Sequence, residues 1–335
     1  MSRKATHAVR PKKKKNYWPR RILVLFLLVL VGVAGYLGYL VYVSKNALKD
    51  ITTDADPTVV VAPENSVKVK PVALMLLGMD SREQTQTLNT DVMMIAALNP
   101  KTKSAVVVSI PRDSRIALSG YKIRKANAYY ANFLALEHRE GLKNKEAEQQ
   151  AKVDLRKMFG KFFDIPIDYT ATINFQGFSD VVDAIGGVEV DVDMDMHYVD
   201  KADGTDIDLT KGHQKLNGDD ALDFVRYRKS NDGKNMSSDF DRNRRESQVL
   251  GQIADKLKSF SGVPKIAGVI KAVGNNLRMD IPTGEVENLL KTYYGISAGD
   301  ITFMPLEGAW KSPYVYLDEA KLQAAKDALD AKLAE

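Results

Sequence analysis

Arginines in this chain are spaced so that several could close on one phosphate. Residues 221–248 read ALDFVRYRKSNDGKNMSSDFDRNRRESQ. A guanidinium is planar, stays charged and offers paired N–H donors that match phosphate oxygens. Residues 224–228 read as a short strand, and a period of two puts Arg226 and Arg228 on one face. From Asp239 the pattern turns helical. At ~100° per residue, Val249, Ile253, Leu257 and Phe260 share a face, Arg242, Arg245 and Glu246 extend it, and Arg244 points away. A helix N-terminus already carries a partial positive charge, so arginines on its core side are costly unless an anion sits there. The alternative is that Asp239 and Asp241 satisfy these arginines without any ligand.

The elements that would position a partner for these cations lie earlier. Residues 72–78 (VALMLLG), 92–98 (VMMIAAL) and 105–110 (AVVVSI) are apolar runs suited to buried strands. As an up-down-up meander they bring Asp80, Asp91 and the pair Arg112 and Asp113 to one sheet edge. Strand ends and their loops are where such folds place ligand sites. Each acid taken singly reads as a turn or cap residue; their shared edge points to a joint role. Carboxylates alone would repel a phosphate. With Mg²⁺ between them they accept one, since magnesium takes one or two carboxylates plus substrate phosphates.

Composition narrows the options. The chain has 335 residues, no cysteine and four scattered histidines, so a thiolate zinc site is excluded and a histidine metal site is not expected. The net charge of +5 is local: residues 1–21 hold nine cations and no acid, leaving the rest at −4. Nothing in this balance calls for nucleic acid. Residues 22–43 are 22 uncharged, mostly apolar positions. At 1.5 Å per residue they reach roughly 33 Å, enough for a bilayer core. The basic tail before them and Tyr36, Tyr39 and Tyr42 near their far end predict a single-pass anchor with residues 1–21 cytoplasmic. Residues 44–66 read as a stalk, and 67–332 as one extracellular domain.

Within that domain helices are predicted over 127–136, 153–163, 178–185, 266–273, 283–294 and 317–334, with strands at 167–175, 188–194 and 301–306. Residues 197–210 read as polar and turn-like. Asp191, Asp193 and Asp195 share one side of an alternating strand and read as a solvated face, with a metal role as the alternative. Interleaved strands and helices with an antiparallel pair predict a three-layer α/β/α fold around a mixed central sheet.

Several motifs resemble the LytR-CpsA-Psr family of Gram-positive cell-envelope proteins. They are Gly78-Met79-Asp80-Ser81-Arg82, Thr90-Asp91-Val92, Ser109-Ile110-Pro111-Arg112-Asp113, Lys125-Ala126-Asn127, Val225-Arg226-Tyr227-Arg228, and Asp241-Arg242 with Arg245. The resemblance implies a membrane-anchored phosphotransferase that moves a glycopolymer, such as teichoic acid or capsule, from an undecaprenyl-pyrophosphate carrier to peptidoglycan. It implies that Asp80 and Asp91 hold Mg²⁺. It also implies that Arg112, Arg226, Arg228 and Arg242 bind or activate the pyrophosphate, and it adds Lys125 and Asn127 to Arg245 as substrate-binding residues. An apolar tunnel would take the lipid. Two positions depart: Asn89 stands where the family usually has arginine, and Glu246 where it usually has glutamine. Glu246 would repel a phosphate or lock an arginine, so reverting both positions is expected to raise transfer. A polyprenyl-pyrophosphate hydrolase uses the same site with water as acceptor, and a non-catalytic regulator or polymer-binding anchor is the reading from another class.

Overall fold

The computed structural model describes residues 46, 48–56, 58–79, 90–201, 204–259 and 269–335. All of them belong to one compact unit, Ser44–Glu335. The basic tail, the apolar run 22–43, Asp80, Asn89 and Phe260 lie outside the described residues. Among the described residues no helix is long and apolar enough to cross a membrane.

Three apolar runs form the expected meander. Strands β1 (Val72–Met79), β2 (Thr90–Asn99) and β3 (Ser104–Ser109) pair antiparallel in sequence, with Gly78 opposite Val92 and Met94 opposite Ser109. β4 (Arg115–Ile116) and β5 (Arg124–Lys125) form a small ribbon next to the end of β3. Helices α1 (Ala128–Arg139) and α2 (Asn144–Phe163) follow. β6 (Tyr169–Asn174) then lies parallel to β1 on its free side. α2 starts nine residues before the expected 153, because Ala147, Ala151, Leu155, Met158 and Phe162 carry its buried stripe through the polar stretch.

Helix α3 (Phe175–Ala184) is stopped by Gly186 and Gly187, both at positive φ. The second half of the chain builds a smaller core. β7 (Val188–Val192), β8 (Met196–Asp200), β9 (Thr205–Leu209) and β10 (Gly212–Leu216) make two short ribbons, β8–β9 and β7–β10. The expectation of a turn over 197–210 is therefore corrected. Its polar residues form the exposed side of a hairpin, while Met196, Ile207 and Leu209 are buried on the other.

A second correction concerns residues 224–228, which are not a strand. Gly218–Arg226 is a helix, α4. The Asn217 side chain accepts from the Asp220 N–H, Asp219 and Asp220 sit in the first turn, and Ala221, Phe224 and Val225 recur at helical spacing on its buried side. Helix α5 (Asp239–Ser259) starts at a reciprocal cap. Ser238 Oγ accepts from the Asp241 N–H at 3.1 Å, and the Asp241 carboxylate accepts from the Ser238 N–H at 2.8 Å.

β11 (Leu277–Met279) and β12 (Ile301–Pro305) complete a six-stranded mixed sheet in the order β11-β6-β1-β2-β3-β12. Helix α6 (Thr283–Thr292) lies between them in sequence. The hairpin of β13 (Gly308–Lys311) and β14 (Tyr314–Leu317) leads into helix α7 (Glu319–Ala334). Both sheet faces are covered. Met75, Leu77, Ile95 and Val108 pack with Phe159 of α2 and Leu329 of α7, whereas Leu74, Met94 and Val107 pack with Leu48, Ile51 and Val286.

Candidate anion site at the mouth of an apolar cavity

β1 and β2 are long enough for their paired ends to project beyond β3, and the functional residues gather there. Asp91 is the second residue of β2 and follows Thr90, the partner of Met79 at the end of β1. The chain leaves β3 through Pro111, which delivers Arg112; its Nη1 donates to Asp91 Oδ1. The Arg112 carbonyl accepts from the Asn127 N–H at 3.0 Å, so Asn127 braces Arg112 through the backbone. Asp113 turns outward to Lys125, at 2.9 Å.

A cavity of about 760 Å³ opens beside these residues. Leu76, Met94, Ile173, Phe178, Leu222 and Leu277 are part of its apolar wall. Asp91, Arg112, Arg226, Arg228, Arg242 and Glu246 also line it. Arg226, on the last turn of α4, lies with its guanidinium 4.4 Å from the centre of the Phe175 ring. A cation in that position is attracted by the ring face, and the ring fixes it against the cavity wall.

The remaining arginines divide. Arg242 Nη2 pairs with Asp239, the ligand-free arrangement considered above, yet its Nε is buried without a hydrogen-bond partner. Arg112 Nε is buried and without such a partner as well. Buried donors of this kind are uncommon, and two in one charged cluster call for an explanation. Arg245 has a different task from the anion contact expected of it. It holds Asp193 with Nε at 2.7 Å and Nη2 at 2.9 Å, donates to the Tyr227 carbonyl, and does not line the cavity. Asp193 is exposed, as Asp191 and Asp195 are, and from that solvated row it pairs with Arg245. Arg245 thus clamps the 227–238 loop that carries Arg228.

The cluster is electrostatically crowded. Burial pulls the Arg228 guanidinium below its ordinary value and the nearby Arg112 adds to that, against the opposing pull of Asp91 and Asp113. Burial, then Arg228 and Arg112, bring Arg242 down to about 10. Burial pushes the Glu246 carboxyl up to about 8, with Arg242 opposing and Asp91 reinforcing. Glu246 therefore keeps its proton to higher pH than an ordinary carboxyl, and when protonated it offers one O–H donor to the cavity. The expected repulsion of phosphate by Glu246 is thereby weakened and moved to higher pH.

An assembly of mutually repelling cations with unused donors is suited to a polyanion, and the apolar wall beside it to a hydrocarbon chain. For a divalent cation the described residues supply Asp91, a hard oxygen donor on the cavity wall. Among the described residues no group of three potential metal ligands occurs. Asp80 would be the next donor, one residue after Met79.

Sequence reasoning missed Phe175, whose contact with Arg226 joins two helices, and no local pattern marks it. It also missed the cavity wall, since apolar residues lining a void and those filling a core have the same composition.

Comparison with known proteins agrees with this geometry. TagV of Bacillus subtilis, a polyisoprenyl-teichoic acid–peptidoglycan teichoic acid transferase, is 30% identical over 298 residues, covering 87% of this chain and 71% of TagV. TagU of Bacillus cereus, which carries the same activity in its name, is 32% identical over 287 residues and 84% of each chain. A solved structure of TagT bound to LI-WTA superposes with a TM-score of 0.57 at 27% identity, covering 83% of this chain and 100% of TagT. The LytR_cpsA_psr family matches residues 38–331, nearly the whole chain beyond the basic and apolar N-terminal stretch, and the chain belongs to that family.

Proposed function

We propose that the chain transfers a glycopolymer of the teichoic-acid kind from an undecaprenyl-pyrophosphate carrier to peptidoglycan. The observation that carries this reading is the cluster of four guanidinium groups, Arg112, Arg226, Arg228 and Arg242, lining an apolar cavity, with the Nε atoms of Arg112 and Arg242 short of a hydrogen bond. The ligand is then a molecule with a multiply charged head and a long hydrocarbon tail. The relatives named above act on such a polyisoprenyl-linked substrate.

In the reaction, a peptidoglycan hydroxyl oxygen attacks the phosphorus that bears the glycopolymer. The bond from that phosphorus to the bridging oxygen breaks, polyprenyl phosphate leaves with the electron pair, and the hydroxyl proton passes to water. Such transfers need little covalent help from protein; fixed cations at the shifting charge supply most of the acceleration. Arg228 and Arg242 lie where the phosphates enter, Arg226 is stiffened by Phe175, and Arg112 is aimed by Asp91. Asp91 and Asp80 would hold Mg²⁺, which when bound neutralises charge on the pyrophosphate. The apolar wall binds the lipid and keeps water from the leaving side. Residues 1–21 are cytoplasmic in this reading, 22–43 cross the membrane, and 67–332 form an extracellular three-layer α/β/α domain close to the carrier.

The test uses the full chain in detergent with a polyprenyl-pyrophosphate oligosaccharide, peptidoglycan fragments and Mg²⁺. A phosphodiester-linked adduct, lost in Arg228→Ala and Asp91→Ala, is the expected result. Polyprenyl phosphate and sugar phosphate alone would mark a hydrolase. Binding without product would leave a polymer-binding anchor.

A further inference from the structure

Outside the cavity, joined to the chain just after Arg112, lie two ribbons with an unusual surface. The β4–β5 segment, residues 115–125, carries Arg115, Lys122, Arg124 and Lys125 and no acid, and the β13–β14 hairpin carries Lys311 and no acid. The hairpin also exposes Trp310, at 57% the most exposed aromatic side chain among the described residues, and Tyr316. The two ribbons are joined through the bridge between Ser114 and Val315. In the hairpin register Trp310 faces Val315 and Ala309 faces Tyr316, so Trp310 and Tyr316 point to opposite faces. Only Trp310 connects to the anion site. Lys125 Nζ lies 5.7 Å from the centre of its ring and binds Asp113 at 2.9 Å; Asp113 is in turn the neighbour of Arg112. None of the four strands lines the cavity.

We propose that Trp310, with Lys125 beside it, is the acceptor subsite that receives the glycan strand of peptidoglycan. This rests on the transferase reading above. If the lipid phosphate departs into the cavity, an in-line displacement requires the attacking hydroxyl to approach from the opposite side of the phosphorus. Trp310 and Lys125 stand outside the cavity wall, one ion pair beyond Arg112. An open indole suits the apolar C–H face of a pyranose ring, because the π-face attracts those hydrogens and the flat surface orders the sugar at little entropic cost. Lys125 covers one face of the ring, and more than half of the residue stays open. The excess of cations on this rim, Arg115, Lys122 and Arg124 beside the paired Lys125, suits a strand that bears carboxylates on its stem peptides.

The chain has two tryptophans, Trp18 and Trp310, so Trp18→Phe leaves Trp310 as the sole indole reporter. In the full chain bearing that substitution, titration with a soluble peptidoglycan tetrasaccharide with stem peptides is expected to shift and saturate the indole emission. In the transfer assay Trp310→Ala is expected to raise the KM for the acceptor about tenfold, with the donor KM and the kcat at saturating acceptor unchanged. Trp310→Phe should restore part of the loss, and it decides the matter if the alanine variant melts early. Unchanged emission, or an unchanged acceptor KM, would overturn the subsite while the transferase stands. A rise in donor KM instead would assign the indole to the donor polymer and overturn it equally. If the wild-type chain makes no adduct, the transferase reading fails, and the emission titration still decides whether Trp310 meets the glycan.

Discussion

Arg242 is a buried cation with one donor unused, and its neighbours Arg228 and Arg112 carry the same sign. Groups arranged for a charged ligand destabilise the empty protein, because their mutual repulsion is relieved only on binding. Arg228→Gln should therefore raise the melting temperature of the substrate-free chain while lowering kcat by about 10²–10³-fold, the usual loss for a donor aimed at developing charge. A lower melting temperature with normal turnover would show that Arg228 is a structural cation. Arg242→Lys keeps the charge and loses the fork, so a similar loss in kcat is expected there, again about 10²-fold. Glu246 calls for a pH experiment. Its folded-state value of about 8 lies above the ordinary 4.5. Its contribution to stability is intact below the unfolded value and is lost as pH rises through the folded one. Glu246→Gln should accordingly stabilise the chain more at pH 9 than at pH 6. It should also remove an alkaline fall in transfer centred near the folded value, because an ionised Glu246 would repel the pyrophosphate. Identical pH profiles for the two proteins would remove Glu246 from the site.

Helix α4 places Arg226 and begins the loop to Arg228, and its position depends on one close approach. A Cβ on Gly218 would fall well inside van der Waals contact with the Ser179 carbonyl oxygen of α3. Gly218→Ala should then cost about 1–3 kcal/mol, as overpacking against backbone does, and should weaken substrate binding by shifting Arg226 off Phe175. Asn217→Ala removes only the cap and should cost about 1 kcal/mol with binding nearly intact. Urea melts of both variants, read beside donor KM, would show whether the approach matters more than the cap. The same helix marks the limit of what the sequence discloses. The meander β1–β3 was legible because each strand is a continuous apolar run closed by a turn, and the edge it creates placed Asp91 and Arg112 correctly. The phase of α5 was legible for Arg242, Arg244 and Arg245 because a 21-residue amphipathic helix leaves little choice of face. α4 was misread because Phe224 and Val225, followed by alternating arginines, mimic a strand. The truer signal was Asn217 with Asp219 and Asp220, a helix start. The tasks of Arg245 and Trp310 were not legible at all, since Asp193 and Lys125 reach them only through the fold.

For the molecule as a whole, the segment that follows the apolar run is tied to the catalytic domain by polar contacts within its core. Leu48 and Ile51 pack under the sheet beside Val286. Thr52 Oγ1 and Thr283 Oγ1 lie 2.7 Å apart. Glu285 accepts from Ser66 Oγ at 3.0 Å and from the Val67 N–H at 2.8 Å. Asp54 meets Lys152 of α2 in an ion pair whose side chains are 1% and 2% exposed. The stretch read as a stalk is thus anchored in the fold at Leu48, Ile51, Thr52, Asp54 and Ala55 and again at Ser66, while Val59 and Val60 between them are exposed. A buried pair of this kind is a weak source of net stability, yet breaking one half leaves an uncompensated charge, which costs about 3–5 kcal/mol. Lys152→Met alone and Asp54→Leu alone should each destabilise the chain by that order. The double variant should recover most of the loss, since two apolar groups can fill the space of the pair. If the double variant is as unstable as the sum of the singles, the pair is not acting as a unit, and the attachment rests on Leu48, Ile51 and the Glu285 contacts instead.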